Sequence, residues 1–352
     1  MRAATTDARR LFDATRIIDD SIRDGASLDE LIDACAAGVS RLVAWDALFL
    51  SAADPETGQL TATRCVRELP AEMCAPWIRN EYLEPDVNKF AVLRMRATEA
   101  PAAGVSTIAE ATQGQPVLSR RYQEIYLPAG FGHELRAVLA DRTGVWGYLT
   151  LVRESGAPDF DERERDLVSR IAPDIARAIR HSHRGTRRFE PAPPGVITVD
   201  RDGGIMQASD RARAVLDTLC AASVLAVAAS AFARADGLPA PEAMTRVRME
   251  DSWFTTHGDV VRDADGEAVL ASVVVESAHG AELAPVVGAA YDLTAREREV
   301  AELLARGEAT RSIATALQVS THTVRDYIKQ VCAKTGTASR GEAVHVLYGP
   351  GG

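Results

Sequence analysis

Apolar residues recur at helical spacing near residues 8–22, and again in SLDELIDACAAGVSRLV, where Leu28, Leu31, Ile32, Cys35 and Val39 share a face. The pattern then switches to alternation in DALFLSA from Asp46 and in QLTATRCV from Gln59, predicting two strands. A long irregular stretch follows. ELRAVLADRTGVWGYLTLV predicts two further strands joined by the turn residues Asp141 to Gly144. In DFDERERDLVSRIAPDIARAIRHS, Asp161 and Glu164 form a D-x-x-E capping box, and Leu167, Val168, Ile171, Ile175 and Ile179 make one apolar stripe. The order α–α–β–β–(variable)–β–β–α predicts an antiparallel sheet covered by helices.

The middle of the chain repeats this logic on a smaller scale. GVITVD and GIMQAS predict strands around an Asp202-Gly203 turn, followed by helices between Asp210 and Ala235. RVRMED, SWFTTHGDVV and AVLASVVVES predict further strands, the last two joined at the hairpin dipeptide Asp265-Gly266. Two junctions separate these blocks: HRGTRRFEPAPPG from His183, and HGAELAPVVG from His279. The expected division is residues 1–183, 194–278 and 289–352, in an α+β chain with an all-α C-terminal domain.

From Leu293 the chain reads LTAREREVAELLARGEATRSIATALQVSTHTVRDYIKQVCAKTGTASRGEAV. Thr294 and Glu297 make a capping box, and Val300, Leu303 and Leu304 mark the buried face of a helix that stops at Gly307. A short second helix buries Ile313, Ala314 and Leu317, and Ser320 is suited to cap a third. There Val324, Ile328 and Val331 lie on one face, with His322, Arg325, Asp326 and Lys329 opposite. Two short helices, a tight turn and a helix exposing basic groups make a helix-turn-helix. Such a helix fits the major groove of double-stranded DNA, where Arg325 and Lys329 can donate to guanine O6/N7 or to phosphate and Asp326 can accept from cytosine N4. Ser320, Thr321 and Thr323 at the helix start suit a phosphate, and Lys334 and Arg340 extend the backbone-contacting set.

This segment closely resembles the LuxR-type helix-turn-helix family of bacterial transcription factors over Leu293 to Val344, through LTxREREV, the Gly307 stop, IAxxL, SxxTV and GxxSRGEAV. The resemblance implies four helices, dimeric operator binding and base contacts from Arg325, Asp326 and Lys329; RNA polymerase is a further partner to expect. Ala309 stands where the family usually caps its second helix with Ser or Thr, so Thr310 is the expected substitute. Tyr327 replaces the commoner His. The first block resembles a GAF domain and the middle one a PAS-like domain, both small-molecule sensor folds, and the three-part arrangement is similar to actinobacterial GAF-containing LuxR-type regulators. LPAEMC, DVNKF and GFGHELRAVLADRTGVWGYLTL carry that likeness.

A pocket for an unidentified small-molecule effector is expected between the first sheet and its irregular connection, lined by Trp77, Tyr82, Asp86, Asn88, Phe90, Tyr126, Phe131, His133 and Trp146. PWIRNEYLEPD faintly resembles the Trp/Tyr/Asp set of acyl-homoserine-lactone receptors, with imperfect spacing. The alternative is that these side chains fill a core or a dimer interface.

Charge changes the picture in one respect. The chain carries −10, which excludes a uniformly basic nucleic-acid coat, yet Arg311 to Arg340 holds five basic residues and one acid. From Ala290 onward eight basic residues face seven acidic ones, so −11 resides in the remainder. The five cysteines (Cys35, Cys65, Cys74, Cys220 and Cys332) form no CxxC pair, which fits a reducing compartment. Asp7, Arg9 and Arg10 interrupt any apolar signal core, and the Ala-rich window from Cys220 to Ala233 is too short to span a membrane. A cytoplasmic homodimer without membrane contact is expected. No metal spacing links the seven histidines, and His181 and His183 are expected to be solvated at a helix end. With no phosphate loop, nucleophile elbow or carboxylate dyad, neither catalytic residues nor a cofactor are expected.

Overall fold

A computed structural model describes residues 2–66, 73–184, 193–216, 221–249, 252–278 and 280–349. Most of the basic, proline-rich junction lies outside the described residues, as do Cys220, His279 and the start of LPAEMC.

Helices α1 (Arg2–Arg23) and α2 (Leu28–Leu42) open the chain, with Ser27 and Glu30 closing a reciprocal capping box before α2. They pack through Ala14, Ile18, Leu31, Ile32, Cys35 and Val39. The first sheet is antiparallel in the order β2-β1-β5-β4-β3, from β1 (Ala47–Ala53), β2 (Leu60–Val66), β3 (Val105–Thr107), β4 (Phe131–Asp141) and β5 (Gly144–Glu154). Its alternation places Leu48, Leu50, Leu135, Leu139, Leu149 and Leu151 in one core with α1, α2 and α6 (Glu162–Ser182). The expected capping box at Asp161 and Glu164 is formed in both directions.

The stretch expected to be irregular holds α3 (Cys74–Leu83), α4 (Phe90–Glu99), β3, the short α5 (Ile108–Ala111) and a π-helical turn at Tyr122–Tyr126. Of these, α3 and α4 cover the other sheet face, while β3 is an edge strand of the sheet.

The second sheet, also antiparallel, runs β7-β6-β10-β9-β8: β6 (Gly195–Asp200), β7 (Ile205–Ala208), β8 (Met244–Met249), β9 (Ser252–Arg262) and β10 (Ala268–Ser277). Both predicted turns form, and Gly266 takes the left-handed backbone (φ +85°) that suits glycine. Helices α7 (Asp210–Leu216) and α8 (Ala221–Ala235) follow β7.

Helix α8 is buried on all sides from Ala222 to Ala233, as an apolar helix without a polar face must be. It joins Val199, Val273 and Val275 of its own sheet to Ala53, Leu60 and Ile78 of the first block in one core. Where the sequence suggested two blocks separated by a proline-rich junction, the described residues share an interior. Gln59 donates from Nε2 to Ser230 Oγ at 2.5 Å, and Arg246 pairs with Asp54 at 2.9 Å across the same seam.

The His279–Gly288 junction is largely a helix, α9 (Gly280–Ala290), despite Pro285, because Leu283, Val286, Val287 and Ala290 are buried in the core shared with α6. Four helices end the chain: α10 (Ala295–Ala305), α11 (Thr310–Ala316), α12 (Thr321–Thr335) and α13 (Arg340–Tyr348). None of the described helices is long and apolar enough to cross a membrane.

Candidate DNA-reading surface and sensor core

The C-terminal helices are built from local signals. Thr294 and Glu297 close the capping box of α10, and Gly307 (φ +78°) turns the chain out of it. Ser320 Oγ accepts from Thr323 N at 3.0 Å and starts α12, which Gly336 ends in the left-handed conformation. The expectation for α11 needs correction: Ala309 is the N-cap, no side chain caps the helix, and Thr310 is already its first helical residue.

Val324 and Val331 of α12 are buried and Ile328 is partly so; Val324 and Ile328 belong to one cluster with Val300 of α10 and Ile313 of α11, and Val331 to the core that holds Ala301 of α10 and Ala343 of α13. On the outer side Thr321, His322, Arg325, Asp326 and Lys329 are exposed, with Thr323 half-buried at the helix start. Arg325 and Lys329 make no ion pair among the described residues, and His322 lies 3.7 Å from Asp326. Two cations thus stand one helical turn apart on a rod whose other face is fixed.

Arg340 is exposed at the first position of α13, which Ser339 caps. Lys334 departs from the expected phosphate contact. Its Nζ is turned inward, donating to Glu297 Oε2 at 2.7 Å and to the Asp292 carbonyl at 2.8 Å. Burial alone would raise the Glu297 carboxyl, but the bonds from Lys334 and Thr294 outweigh it and hold the group below its ordinary value.

The nine residues of the expected effector pocket divide differently. Asp86, Asn88, Phe90, Tyr126 and Trp77 converge on a buried polar network beneath α3 and α4. Its centre is Glu134, fully buried, which receives Arg121 Nε and Nη2 at 2.9 Å, Arg136 Nε at 2.9 Å and the Tyr126 hydroxyl at 2.7 Å. Arg136 also reaches Glu81 at 2.7 Å and lies over the Trp77 and Phe90 rings. Asp86 accepts from Asn80 and from the Arg121 backbone. Burial would raise the Glu134 carboxyl, yet the two guanidiniums win and hold it at about 2. Arg121, Glu134 and Arg136 were not singled out from the sequence, although strand alternation places Glu134 and Arg136 on the inner face opposite α6.

Tyr82 is buried in the neighbouring apolar core, Phe131 is half-buried, and His133 pairs with Asp159 at 3.4 Å near the sheet edge. Trp146 lies on the opposite face and cannot line this site. The β4–β5 register shifts so that Leu139 faces Gly147 and Ala140 faces Val145, leaving Trp146 as the extra residue of a bulge. The bulge turns its ring into the core under α6, where it stands edge-on to His183 at 5.3 Å.

His183 is likewise not solvated. It is buried between Trp146 and Trp253, its Nδ1 2.8 Å from the Ile179 carbonyl, and burial pushes its pKa down to about 4. Among the described residues no cluster of His, Cys, Asp and Glu has the makings of a metal site. A crevice between α3 and α8, lined by Ile78, Arg79, Leu225 and Phe232, has a volume of about 10 Å3, room for about one water.

A helix-turn-helix carried on an α+β body defines the class: a DNA-binding protein. A family model for bacterial regulatory proteins of the luxR family matches residues 292–347. The spore germination protein GerE of Bacillus subtilis (strain 168) is 46% identical over 52 residues, covering 15% of this chain and 70% of GerE. The chain belongs to the LuxR family of bacterial regulatory proteins, which are DNA-binding transcription regulators and not enzymes.

Among solved structures, Escherichia coli SdiA is 12% identical, covering 95% of this chain and 94% of SdiA with a TM-score of 0.34. A Vibrio cholera VqmA–ligand–DNA complex is 18% identical, covering 44% of this chain and 80% of that one at 0.21. VqmA bound to DPO is 23% identical, covering 29% of this chain and 46% of its own at 0.15. At these scores the superpositions are loose, and family membership rests on the C-terminal sequence.

Proposed function

We propose that the chain is a one-component regulator in which a GAF-like and a PAS-like unit tune a sequence-specific, dimeric DNA-binding domain in response to a small molecule. The units are residues 1–183, 194–278 and 289–352. The carrying observation is the outer face of α12, where exposed Arg325, Asp326 and Lys329 share a rigid, capped helix. Base contacts are assigned to those three, and phosphate or flanking contacts to Ser320, Thr321, His322, Thr323 and Arg340. Contact with RNA polymerase would follow once the protein is seated on its operator.

The test is selection from random duplexes with the full-length protein. A recurrent sequence should emerge, and affinity for it should fall steeply with salt, one phosphate contact contributing about 0.9 to the logarithmic slope. Absence of enrichment would remove the reading.

A second reading for the sensor units has its own support. Asp86 and Tyr126, expected to meet an effector, instead bond within the network around Glu134, where Asn88 Oδ1 and Arg136 Nη2 alone are left without a hydrogen bond among its described groups, so these units could act through dimerisation or protein contact alone. Native mass spectrometry of the purified protein, with thermal shifts across a metabolite library, separates the two. A bound compound or a shift of several degrees supports sensing, and neither supports the protein-contact reading.

A further inference from the structure

The chain enters the DNA-reading helices through a corner at Ala290, Tyr291 and Asp292, and four cations converge on it. Arg180 Nη1 and Arg184 Nε donate to the Ala290 carbonyl at 3.3 and 2.7 Å. The Arg184 guanidinium lies 5.3 Å from the Tyr291 ring. Arg142, on the β4–β5 turn, pairs with the Asp292 carboxylate, while Lys334 of α12 takes the Asp292 carbonyl. Three of these cations belong to the sensor body and one to the recognition helix.

The location has a physical logic. The last carbonyls of a helix lack intrahelical partners and carry its negative dipole end, so cations are favoured there. The corner itself closes a Schellman motif, with Leu293 N donating to the Gly288 carbonyl and Asp292 N to the Ala289 carbonyl. Its left-handed position, where glycine is the default, is occupied by Asp292 at φ +58°. A glycine would suit the backbone better but would offer Arg142 no carboxylate.

The end of α6 and the two residues that follow it, which supply Arg180 and Arg184, are held in turn by both sensor units. Arg180 pairs with Asp141 at 2.8 Å, His183 sits between Trp146 and Trp253, and Arg248 of β8 donates to the carbonyls of Ser182 and Arg184. We infer that the Ala290–Asp292 corner is a clasp through which the sensor body positions the recognition helix, making Arg142, Arg180 and Arg184 positioning residues for DNA binding. The outer face of α12 is exposed while the clasp is closed, so the closed form is the one that presents the cations to DNA. Opening the clasp lowers the fraction of molecules in that form, and apparent affinity falls with the fraction.

The experiment measures binding of full-length variants, by fluorescence anisotropy over a salt series, to the duplex that the wild type selects. Hydrogen exchange is followed at residues 288–298 and in α12. Arg184→Ala should weaken binding about tenfold and the exposed Arg142→Ala about threefold, with Arg142→Lys restoring most of the loss. The salt slope and the selected sequence should stay those of the wild type, because no phosphate or base contact is removed. Exchange should rise at the corner and remain slow at Val324 and Val331.

Unchanged affinity despite faster exchange at the corner would overturn the proposal, as would a salt slope shallower by about one, which would mark a phosphate contact. Tighter binding on opening would overturn it too, showing the corner to be a restraint. The clasp rests on the DNA-binding reading: a wild type that enriches no sequence removes both, whereas enrichment without any variant effect removes the clasp alone.

Discussion

Two groups of charged side chains are handled in opposite ways. Around Glu134, arginines and carboxylates are buried and bond mainly to one another; on α12, Arg325 and Lys329 stand in solvent without an ion-pair partner among the described residues. The first arrangement fixes an interior, because a charge out of water must be matched within the protein. The second leaves its electrostatic potential available to an anion. Lys334 shows that position on a basic helix does not by itself decide the outcome: on the same helix, it is bound inward to Glu297.

The contrast can be broken from either side. The largest effect should come from Glu134→Ala, which strands Arg121 and Arg136 in the interior. Breaking a buried pair costs about 3–5 kcal/mol, or a melting point lower by roughly 10 °C in a thermal scan. A change under about 2 °C would mean that water already reaches the network. Next, replacing Arg325 and Lys329 together with Ala should weaken binding to the selected duplex about a hundredfold while leaving the melting curve in place.

The His183 histidine gives a pH signature. Its folded pKa, near 4, lies below the ordinary value of 6.5, so between those limits the unfolded chain binds the extra proton. Its contribution is therefore intact above pH 6.5 and is lost as pH falls toward 4, by about 2–3 kcal/mol. His183→Gln should flatten that part of the stability curve, and an unchanged slope would assign the proton to another group. The smallest effect is that of Lys334→Met: it should cost about 1–2 kcal/mol, read as faster hydrogen exchange in α10 and α12. Full retention would show the Glu297 contact to be dispensable.

How much of this was legible in the sequence follows the range of the forces involved. The DNA-reading helices depend on local signals, so the Thr294–Glu297 box, the Gly307 stop, the Ser320 cap and the outer face of α12 could all be read from neighbouring residues. The core around Glu134 depends on distant partners. Arg121 and Glu134 meet only after the irregular connection folds over the sheet, and nothing in their spacing announces it. A single register shift between β4 and β5 reversed Trp146 against the simple alternation. The apolar window around α8 was visible as too short for a membrane, but its role as a shared wall between two sheets needed the fold. Pro285 drew attention to a break where burial of Leu283, Val286 and Val287 sustains a helix.

The most direct test of the central claim is methylation interference on the selected duplex, with guanine N7 modified in the major groove. If Arg325 and Lys329 read guanine edges, methylation at one or more guanines within the site should block the full-length protein, and the double Ala variant should lose that sensitivity. Binding that ignores N7 methylation throughout the site would contradict the claim.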